Sequence, residues 1–210
     1  MKKIIMIGCG GHAKSMLDAI ESEGEYEVVG FIGKDMPAEF SYRGYKIIGT
    51  DADMKRFYMD GIRHACIGIG YLGKGDARKK LYDSLKKIGF LLPPVIDATA
   101  VVARDVLIGE GSFVGKNAVI NSAAVVGKMA IVNTGAIVEH DCVVGDFSHV
   151  AVSAVLCGGV EVGKGCFIGA NAVARQGIKT GDFSIVGAGA VVVGDIPANV
   201  TVVGIPAAIV

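Results

Sequence analysis

A hydrophobic residue recurs at every sixth position from Ile96 onward, and this period is the dominant pattern of the second half of the chain. Seventeen hexads keep one register, and only Ala174 and Thr180 stand where the other hexads have Ile, Leu or Val. A small or aliphatic residue follows four positions later, and Gly, Asp, Asn or Lys fill the positions between. A six-residue period excludes an amphipathic helix, which needs apolar residues every three to four positions. The pattern predicts a parallel β-helix of short strands and tight corners, with the branched residues inside.

The length of the period also predicts how the coils stack. Three hexads make one triangular coil, so residues 18 positions apart should lie above one another. One interior ladder would contain Val114, Val132, Val150, Ile168 and Val186. The repeat is predicted to run over residues 95–196, about 27 Å at roughly 4.8 Å per layer, and residues 197–210 form a tail.

Residues 1–92 show a different pattern, in which short apolar strands alternate with amphipathic helices. The predicted strands are 3–7, 27–32, 45–48 and 64–70, and the predicted helices are 12–23, 53–60 and 76–87. This alternation predicts a small parallel sheet with helices on its faces, an α/β domain of half-Rossmann type. Pro93 and Pro94 then interrupt regular structure between the two predicted domains.

Composition limits the partners and the compartment. The 210 residues carry a formal net charge of zero, which argues against a nucleic-acid partner. Although 51% of the residues are hydrophobic, no apolar run approaches the roughly 18 residues of a membrane span. The first residues lack the pattern of a signal peptide, and the five cysteines form no CxxC pair. We therefore expect a cytoplasmic protein with buried thiols, Cys142 and Cys166 among them.

The segment Gly8-Cys-Gly-Gly-His-Ala follows the first predicted strand and fits the fingerprint G-x-G-x-x-G/A. Glycines in such a turn let a phosphate approach the backbone at a helix N-terminus. The alternative is a purely structural turn between strand and helix. Because 92 residues hold barely one βαβ half, a nucleotide-sugar diphosphate fits this domain better than NAD.

The segment Glu139-His140-Asp141 carries the chemistry expected of a general base. A histidine has an ordinary pKa near 6.5 and removes protons at neutral pH, while a neighbouring carboxylate stabilises the imidazolium. The alternative is a surface histidine at a corner with an acidic neighbour. His149 lies nine residues further on, half a coil away, so the two imidazoles should lie on different sides of one prism. They can serve one reaction only where two subunits meet.

Two segments, 7–14 and 133–150, together resemble the sialic acid O-acetyltransferases and the UDP-N-acetylbacillosamine-type sugar N-acetyltransferases. The second segment contains the pair Glu-His-Asp-Cys and Phe-Ser-His. The resemblance implies a left-handed β-helix, a homotrimer and acetyl-CoA bound between neighbouring prisms. It also implies transfer of the acetyl group to an amino or hydroxyl group of a nucleotide-linked or sialic-acid-like bacterial surface sugar, with no metal.

The resemblance also implies roles for individual residues. His140 matches the general base, and Asp141 matches the acidic residue that strengthens it. The residues implied to contact acetyl-CoA are His149, Gly158, Ala170 and Ala188. The residues implied to contact the sugar substrate are Gly10, Gly11, His12, Gly33, Lys34, Gly68 and Asn133.

The chain departs from the family pattern in two places. Gly33-Lys34-Asp35 stands where the family has an acidic pair, and Ala208 stands where it has a basic residue. Two other functions remain open. A β-helix hydratase would need a zinc ion with about three protein ligands, whereas this half has only His140 and His149 as histidines. A non-catalytic sugar-nucleotide-binding protein would keep the glycine turn without needing His140.

Overall fold

The computed structural model describes residues 1–33 and 39–210. The chain forms two compact units, the first from residues 1–70 and 75–97, the second from residues 71–74 and 98–210. The assignment of residues 71–74 to the second unit was not predicted from the sequence. The predicted Lys34 and Asp35 contacts lie outside the described residues.

The first unit contains one sheet and three α-helices in its described part. The strands are β1 (Lys2–Ile7), β2 (Tyr26–Ile32), β3 (Ser41–Tyr42), β4 (Tyr45–Gly49) and β5 (His64–Ile67). Their order is β3-β4-β2-β1-β5, parallel except for the β3–β4 hairpin. The helices are α1 (Gly11–Glu23), α2 (Met54–Met59) and α3 (Ala77–Ile88), and a 3₁₀ turn covers Asp51–Asp53. A further strand, β6 (Val95–Ile96), lies near the end of this unit.

Two of the predicted elements differ from the observed ones. The helix predicted over 53–60 is shorter, because Thr50 and Asp53 form a capping box that starts a 3₁₀ turn before α2. The strand predicted over 64–70 ends at Ile67. A Cβ on Gly68 would lie 2.6 Å from Ala13 Cβ, so the backbone packs directly against α1 at this point.

The second unit is a parallel β-helix with three faces, whose strands are two residues long except for Thr201–Val203. Face 1 contains β7 (Val101–Val102), β10 (Val119–Ile120), β13 (Ile137–Val138), β16 (Val155–Leu156), β19 (Val173–Ala174) and β22 (Val191–Val192). Face 2 contains β8 (Leu107–Ile108), β11 (Val125–Val126), β14 (Val143–Val144), β17 (Glu161–Val162) and β20 (Lys179–Thr180). Face 3 contains β9 (Phe113–Val114), β12 (Ile131–Val132), β15 (His149–Val150), β18 (Phe167–Ile168), β21 (Ile185–Val186), β23 (Thr201–Val203) and β24 (Ala208–Ile209).

The predicted register is confirmed. From β7 to β22 each strand pairs in parallel with the strand 18 residues away, and the ladder from Val114 to Val186 is continuous. Val138 is fully buried, as are the small residues of the repeat from Ser112 to Ala154. Each of these small residues follows a corner residue with positive φ, and such corners recur at every sixth position from Gly111 to Gly189. The corner therefore turns the chain and directs the next side chain inward.

The C-terminal segment continues the β-helix further than predicted. β23 extends face 3 in parallel with β21, and β24 folds back antiparallel on β23. Residues from Thr201 onward are therefore part of the second unit rather than a separate tail. Within the described ranges, no helix is both long and apolar enough to cross a membrane.

The outward residues differ between the three faces. On face 1 every outward residue is aliphatic, namely Val101, Val119, Ile137, Val155, Val173 and Val191. On face 2 the outward residues of the first three strands are exposed aliphatic residues, Leu107, Val125 and Val143. The next two strands of face 2 carry a 2.8 Å ion pair between Lys179 and Glu161. Face 3 presents mainly aromatic and apolar residues, with His149 among them, and residues 71–74 lie against it.

Candidate active site

His140 and Asp141 lie at the corner that joins β13 on face 1 to β14 on face 2. Asp141 has a φ of 61°, the left-handed conformation that the repeat gives to each such corner. In this geometry Nδ1 of His140 lies 2.8 Å from Oδ2 of Asp141. Both side chains are about two-thirds exposed, at 63% and 67%. Because a carboxylate only accepts, Nδ1 carries the proton, and the Nε2 lone pair of the neutral ring is left to accept another.

The surrounding charges favour the protonated form of this imidazole. The hydrogen bond to Asp141 is the largest influence and raises the pKa of His140; partial desolvation opposes it, and the negative charges of Asp141 and Glu139 add to the rise. A base with a raised pKa holds a proton more strongly once it has taken one. The pair is therefore suited to proton removal from a weak acid such as an amine or hydroxyl.

Gly158 lies 18 residues after His140, directly above it at the same corner of the next coil. A Cβ on Gly158 would lie 2.6 Å from both Cε1 and Nε2 of His140. Real Cβ contacts are not this short, so the ring occupies a position that is open only because residue 158 is glycine. The structure thus brings together His140, Asp141 and Gly158 of the predicted site.

Asn133 and His149 form a second group, on face 3 and at its corner with face 1. Nδ2 of Asn133 lies 3.1 Å from Nε2 of His149, and Oδ1 of Asn133 accepts the Thr134 backbone N–H at 2.8 Å. His149 is 6% exposed and packs edge-on against Phe167, with ring centroids 5.3 Å apart. Its other ring nitrogen, Nδ1, lies 2.6 Å from the carbonyl oxygen of Tyr71.

Ala170 and Ala188 lie on neighbouring coils at the corner between faces 3 and 1, where the Gly189 N–H donates to the Ala170 carbonyl at 2.8 Å. They are therefore on the Asn133 side of face 1, whereas His140 and Gly158 are on the opposite side. Within one chain, the predicted site residues of the β-helix thus form two groups at the two edges of face 1.

A cavity of about 550 Å³ lies in the first unit at the carboxyl ends of β1 and β2. Its lining residues are Ile7, Gly8, Cys9, Gly10, Ile32, Gly33, Asp51, Met54, Ile69, Ala77, Lys80, Leu81 and Ser84. This edge of a parallel sheet is where ligands bind in α/β folds. The predicted Gly10 and Gly33 line the cavity, whereas Gly11, His12 and Gly68 are not among its lining residues.

The glycines of the first turn differ in what they contact. Gly8 has a φ of 95°, and a Cβ there would lie 2.8 Å from Ile69 Cγ1, so glycine is needed for the fold. A Cβ on Gly10 or Gly11 would meet no atom within 4 Å. Open space in front of two glycines, at the N-terminus of the 13-residue helix α1, gives a phosphate room to approach the backbone N–H groups.

Several polar residues near these sites were not predicted from the sequence. Asp51, Lys80 and Ser84 line the cavity; Asp51 lies in the 3₁₀ turn and the other two lie on α3, and no periodic signal in the sequence marks them. Tyr71 was missed because it contacts His149 across 78 residues of sequence. Across residues 1–33 and 39–210, no group of three or more His, Cys, Asp or Glu side chains is placed to hold a metal ion.

Comparison with known proteins gives matches over both units. The PglD N-terminal domain matches residues 3–85, and the hexapeptide repeat of succinyl-transferase matches residues 159–193. No curated protein sequence matches the chain significantly. Among solved structures, PerB from Caulobacter crescentus in complex with CoA and GDP-perosamine is 35% identical. That match covers 100% of this chain and 98% of PerB, with a TM-score of 0.93.

A second solved structure is the acetyltransferase domain of PglB from Neisseria gonorrhoeae in complex with acetyl coenzyme A. It is 32% identical, the match covers 100% of this chain and 99% of that domain, and the TM-score is 0.90. WeeI from Acinetobacter baumannii is 23% identical with a TM-score of 0.63, which shows likeness of fold alone.

The fold and the matches to known acetyltransferases define an acyltransferase of the hexapeptide-repeat class, with a left-handed β-helix. Left-handed winding of parallel strands is uncommon in proteins, and the spacing of the repeat does not by itself fix it. The chain belongs to the family of hexapeptide-repeat sugar acetyltransferases with a PglD N-terminal domain, to which PerB and the PglB acetyltransferase domain also belong.

Proposed function

We propose that this protein transfers the acetyl group of acetyl-CoA to the amino group of a nucleotide-linked amino sugar, with His140 as the general base. The observation that carries this proposal is the corner formed by His140, Asp141 and Gly158, on a chain 35% identical to an enzyme solved with CoA and GDP-perosamine. The first unit supplies the cavity and the open glycine turn for the nucleotide diphosphate.

The reaction follows from the hydrogen bonding of His140. Asp141 holds the Nδ1–H, so Nε2 takes a proton from the acceptor amine as its nitrogen attacks the thioester carbonyl. We assign the developing oxyanion to the backbone N–H of Gly158, at the same corner. Collapse of the tetrahedral intermediate breaks the C–S bond. The imidazolium then returns its proton to the departing thiolate, giving coenzyme A thiol and the N-acetyl sugar.

We further propose that the protein is a homotrimer. Face 1 carries an outward aliphatic residue on each of its six strands, exposed at Val101 and half-buried at the others, and face 2 carries exposed aliphatic residues on its first three strands. Aliphatic surface of this extent favours burial against another protein surface. In a ring of three chains with face 1 of each chain turned to the threefold axis, each chain contacts its two neighbours through the two edges of that face. Face 3 is not needed for this contact, and residues 71–74 lie against it.

A trimer also resolves the separation of the two groups of site residues. Within one chain, His140 and the Asn133–His149 pair lie at opposite edges of face 1. With face 1 of each chain at the threefold axis, the His140 corner of one chain approaches the Asn133 corner of the next. Each active site then contains residues of two chains, and the three sites of the trimer are equivalent.

We propose guanine as the nucleobase. A carboxylate accepts hydrogen bonds only, and guanine presents N1–H and N2–H side by side, whereas uracil presents a single N–H. Asp51 lines the cavity, so its carboxylate is the group that we expect to select guanine. The PerB structure, solved with GDP-perosamine, supports the same nucleotide. Replacing Asp51 by Asn should reduce discrimination between GDP- and UDP-linked acceptors.

We place the reaction in the cytoplasm, as part of the synthesis of surface polysaccharide. Four of the five cysteines are buried and all five are free thiols, a usage that fits a reducing compartment.

The activity is tested by thiol release from acetyl-CoA with GDP-, UDP- and CMP-linked amino sugars and with free sialic acid. We expect turnover with a GDP-linked amino sugar and a loss of about 10²- to 10⁴-fold in His140→Ala. Ser122→Ala, one coil below His140 at the same corner, is the matched control and should keep its activity. Thiol release with none of these acceptors, or normal turnover by His140→Ala, would overturn the proposal.

The shared site is tested by mixing inactive subunits. His140→Ala and His149→Ala chains, unfolded and refolded together, should regain part of the activity that neither has alone. One of the two variants carries an affinity tag, so that mixed trimers are separated from trimers of a single variant before the assay. Absence of recovery in mixed trimers would contradict an active site built from two chains.

A further inference from the structure

Residues 71–74 lie against face 3 as a short strap held by three contacts. The Tyr71 hydroxyl donates to the Gly165 carbonyl at 2.8 Å, and the Tyr71 carbonyl faces His149 Nδ1 at 2.6 Å. At Gly73, where φ is 81°, a Cβ would lie 2.7 Å from Ile185 Cδ1 and 3.2 Å from Phe167 Cβ. The strap therefore sits close to the β-helix, and glycine is needed where it is closest.

The hydrogen bonds around His149 have a single possible direction. A carbonyl only accepts, so His149 Nδ1 carries a proton and donates to Tyr71. A backbone N–H only donates, so Asn133 turns Oδ1 to the Thr134 N–H and its Nδ2 to His149. His149 Nε2 must then accept from Asn133. The chain of bonds runs from Thr134 through Asn133 and His149 to Tyr71.

We propose that Tyr71 is a positioning residue for the acceptor side of the site, which it orients through His149 and Asn133. The strap holds His149 as the neutral Nδ1–H tautomer. In that form His149 accepts at Nε2 and has no ring N–H left to donate to a substrate oxygen.

The ligand-facing donor of this pair is therefore Asn133. Its Nδ2 carries two hydrogens, one of which goes to His149, and the second binds an acceptor oxygen, which we assign to a hydroxyl or ring oxygen of the acceptor sugar. This assignment rests on the proposed function, whereas the direction of the hydrogen bonds does not. It also leaves stabilisation of the oxyanion to backbone donors at the His140 corner.

The direction of the bonds is tested without substrate, by ¹⁵N NMR of histidine-labelled protein. The four histidines are assigned by substituting each in turn. We expect His149 to show a protonated, pyrrole-type Nδ1 and an unprotonated, pyridine-type Nε2. In Asn133→Asp a carboxylate oxygen replaces the amide donor, so both nitrogens of His149 should become pyrrole-type. A pyrrole-type Nε2 in the wild type, or an unchanged Nε2 in Asn133→Asp, would overturn the proposal.

The role of Tyr71 is tested by loosening the strap. Tyr71→Phe removes only the hydrogen bond to Gly165, and Gly73→Ala places a methyl group against Ile185. Both should mix the two tautomers of His149 and raise the KM for the acceptor about fivefold to tenfold, the effect of one misplaced hydrogen bond, with kcat nearly unchanged. Leu72→Ala, at a side chain 76% exposed, is the control and should change neither.

The outcomes separate this proposal from the proposed function. Wild-type tautomers in both strap variants, or equal effects in Leu72→Ala, would refute positioning by Tyr71 even if the enzyme is active. If His149 shows the expected tautomer but the protein acetylates no sugar, the hydrogen-bond direction is supported and the proposed function is refuted.

Discussion

Gly158→Ala gives the sharpest test of the proposed active site, because it adds one methyl group beside the base and nothing else. The new Cβ would lie 2.6 Å from Cε1 and Nε2 of His140, and ordinary contact begins at 3.4 Å. The ring must therefore move by at least about 0.8 Å. His140 is 63% exposed, so the ring can swing into solvent without disturbing the core.

The expected effect is on rate and not on stability. A misplacement of about 1 Å in a reacting group costs on the order of 10²-fold in rate. The displaced ring also loses its 2.8 Å contact with Asp141, which fixes the proton on Nδ1. We expect kcat to fall about 10²-fold, less than complete removal of the base in His140→Ala, while the melting temperature stays within about 2 °C of the wild type.

The assay is steady-state thiol release at saturating acetyl-CoA and acceptor, with thermal unfolding measured on the same samples. Gly194→Ala is the matched control, since a Cβ there meets no atom within 4 Å and its φ is not positive. Wild-type kcat in Gly158→Ala would refute the assignment of His140 as base in the observed rotamer. Equal losses in both variants would show that any added methyl group on the β-helix lowers the rate.

Three further predictions concern the base, the core and the glycine turn. Asp141→Asn removes the group that most raises the pKa of His140, so the ring should lose its proton at lower pH and the acidic limb of the kcat/KM profile should move down. An unmoved limb would leave Asp141 with a structural role. Val138→Asp places an unpaired carboxyl in the interior and should abolish cooperative unfolding by circular dichroism, whereas Val193→Asp, at a residue 47% exposed, should not. Gly10→Ala meets open space, so calorimetry should show an unchanged melting temperature but weaker binding of a nucleoside diphosphate.

The β-helix was predictable from the sequence because the same six-residue pattern occurs in seventeen consecutive hexads. One six-residue period fixes the strand positions, the inward residues and the stacking interval, so the ladder from Val114 to Val186 follows from spacing alone. The first unit was predicted less accurately at its edges. The strand beginning at His64 ended early because backbone packing at Gly68, which apolar periodicity does not report, limits its length.

The site was predictable only in part, for the same reason. Residues 18 positions apart stack on each other, so Gly158 is predicted to lie above His140. The sequence therefore contained enough information to place a glycine over the imidazole. Tyr71 has no such signal, because its contact with His149 joins a loop of the first half to a repeat of the second. In the glycine turn, the sequence does not show that glycine is present for two different structural reasons. Gly8 is needed by the neighbouring protein atoms, whereas Gly10 leaves a space for something else.

The backbone conformation at the proposed active site is the same as at the other corners of the repeat. The proposed chemistry therefore comes from the residues at this corner and not from an unusual backbone. The positive φ of Asp141 is shared by the corners of the repeat at every sixth position from Gly111 to Gly189. The left-handed corner at residue 141 is therefore a property of the scaffold and not strain kept for catalysis. What distinguishes this corner is that a histidine and a carboxylate occupy it while the next coil presents glycine above the ring. Activity should then depend on the identities of His140, Asp141 and Gly158. The fold should tolerate substitution of His140 and Asp141, because other residues occupy the equivalent corner positions of the repeat.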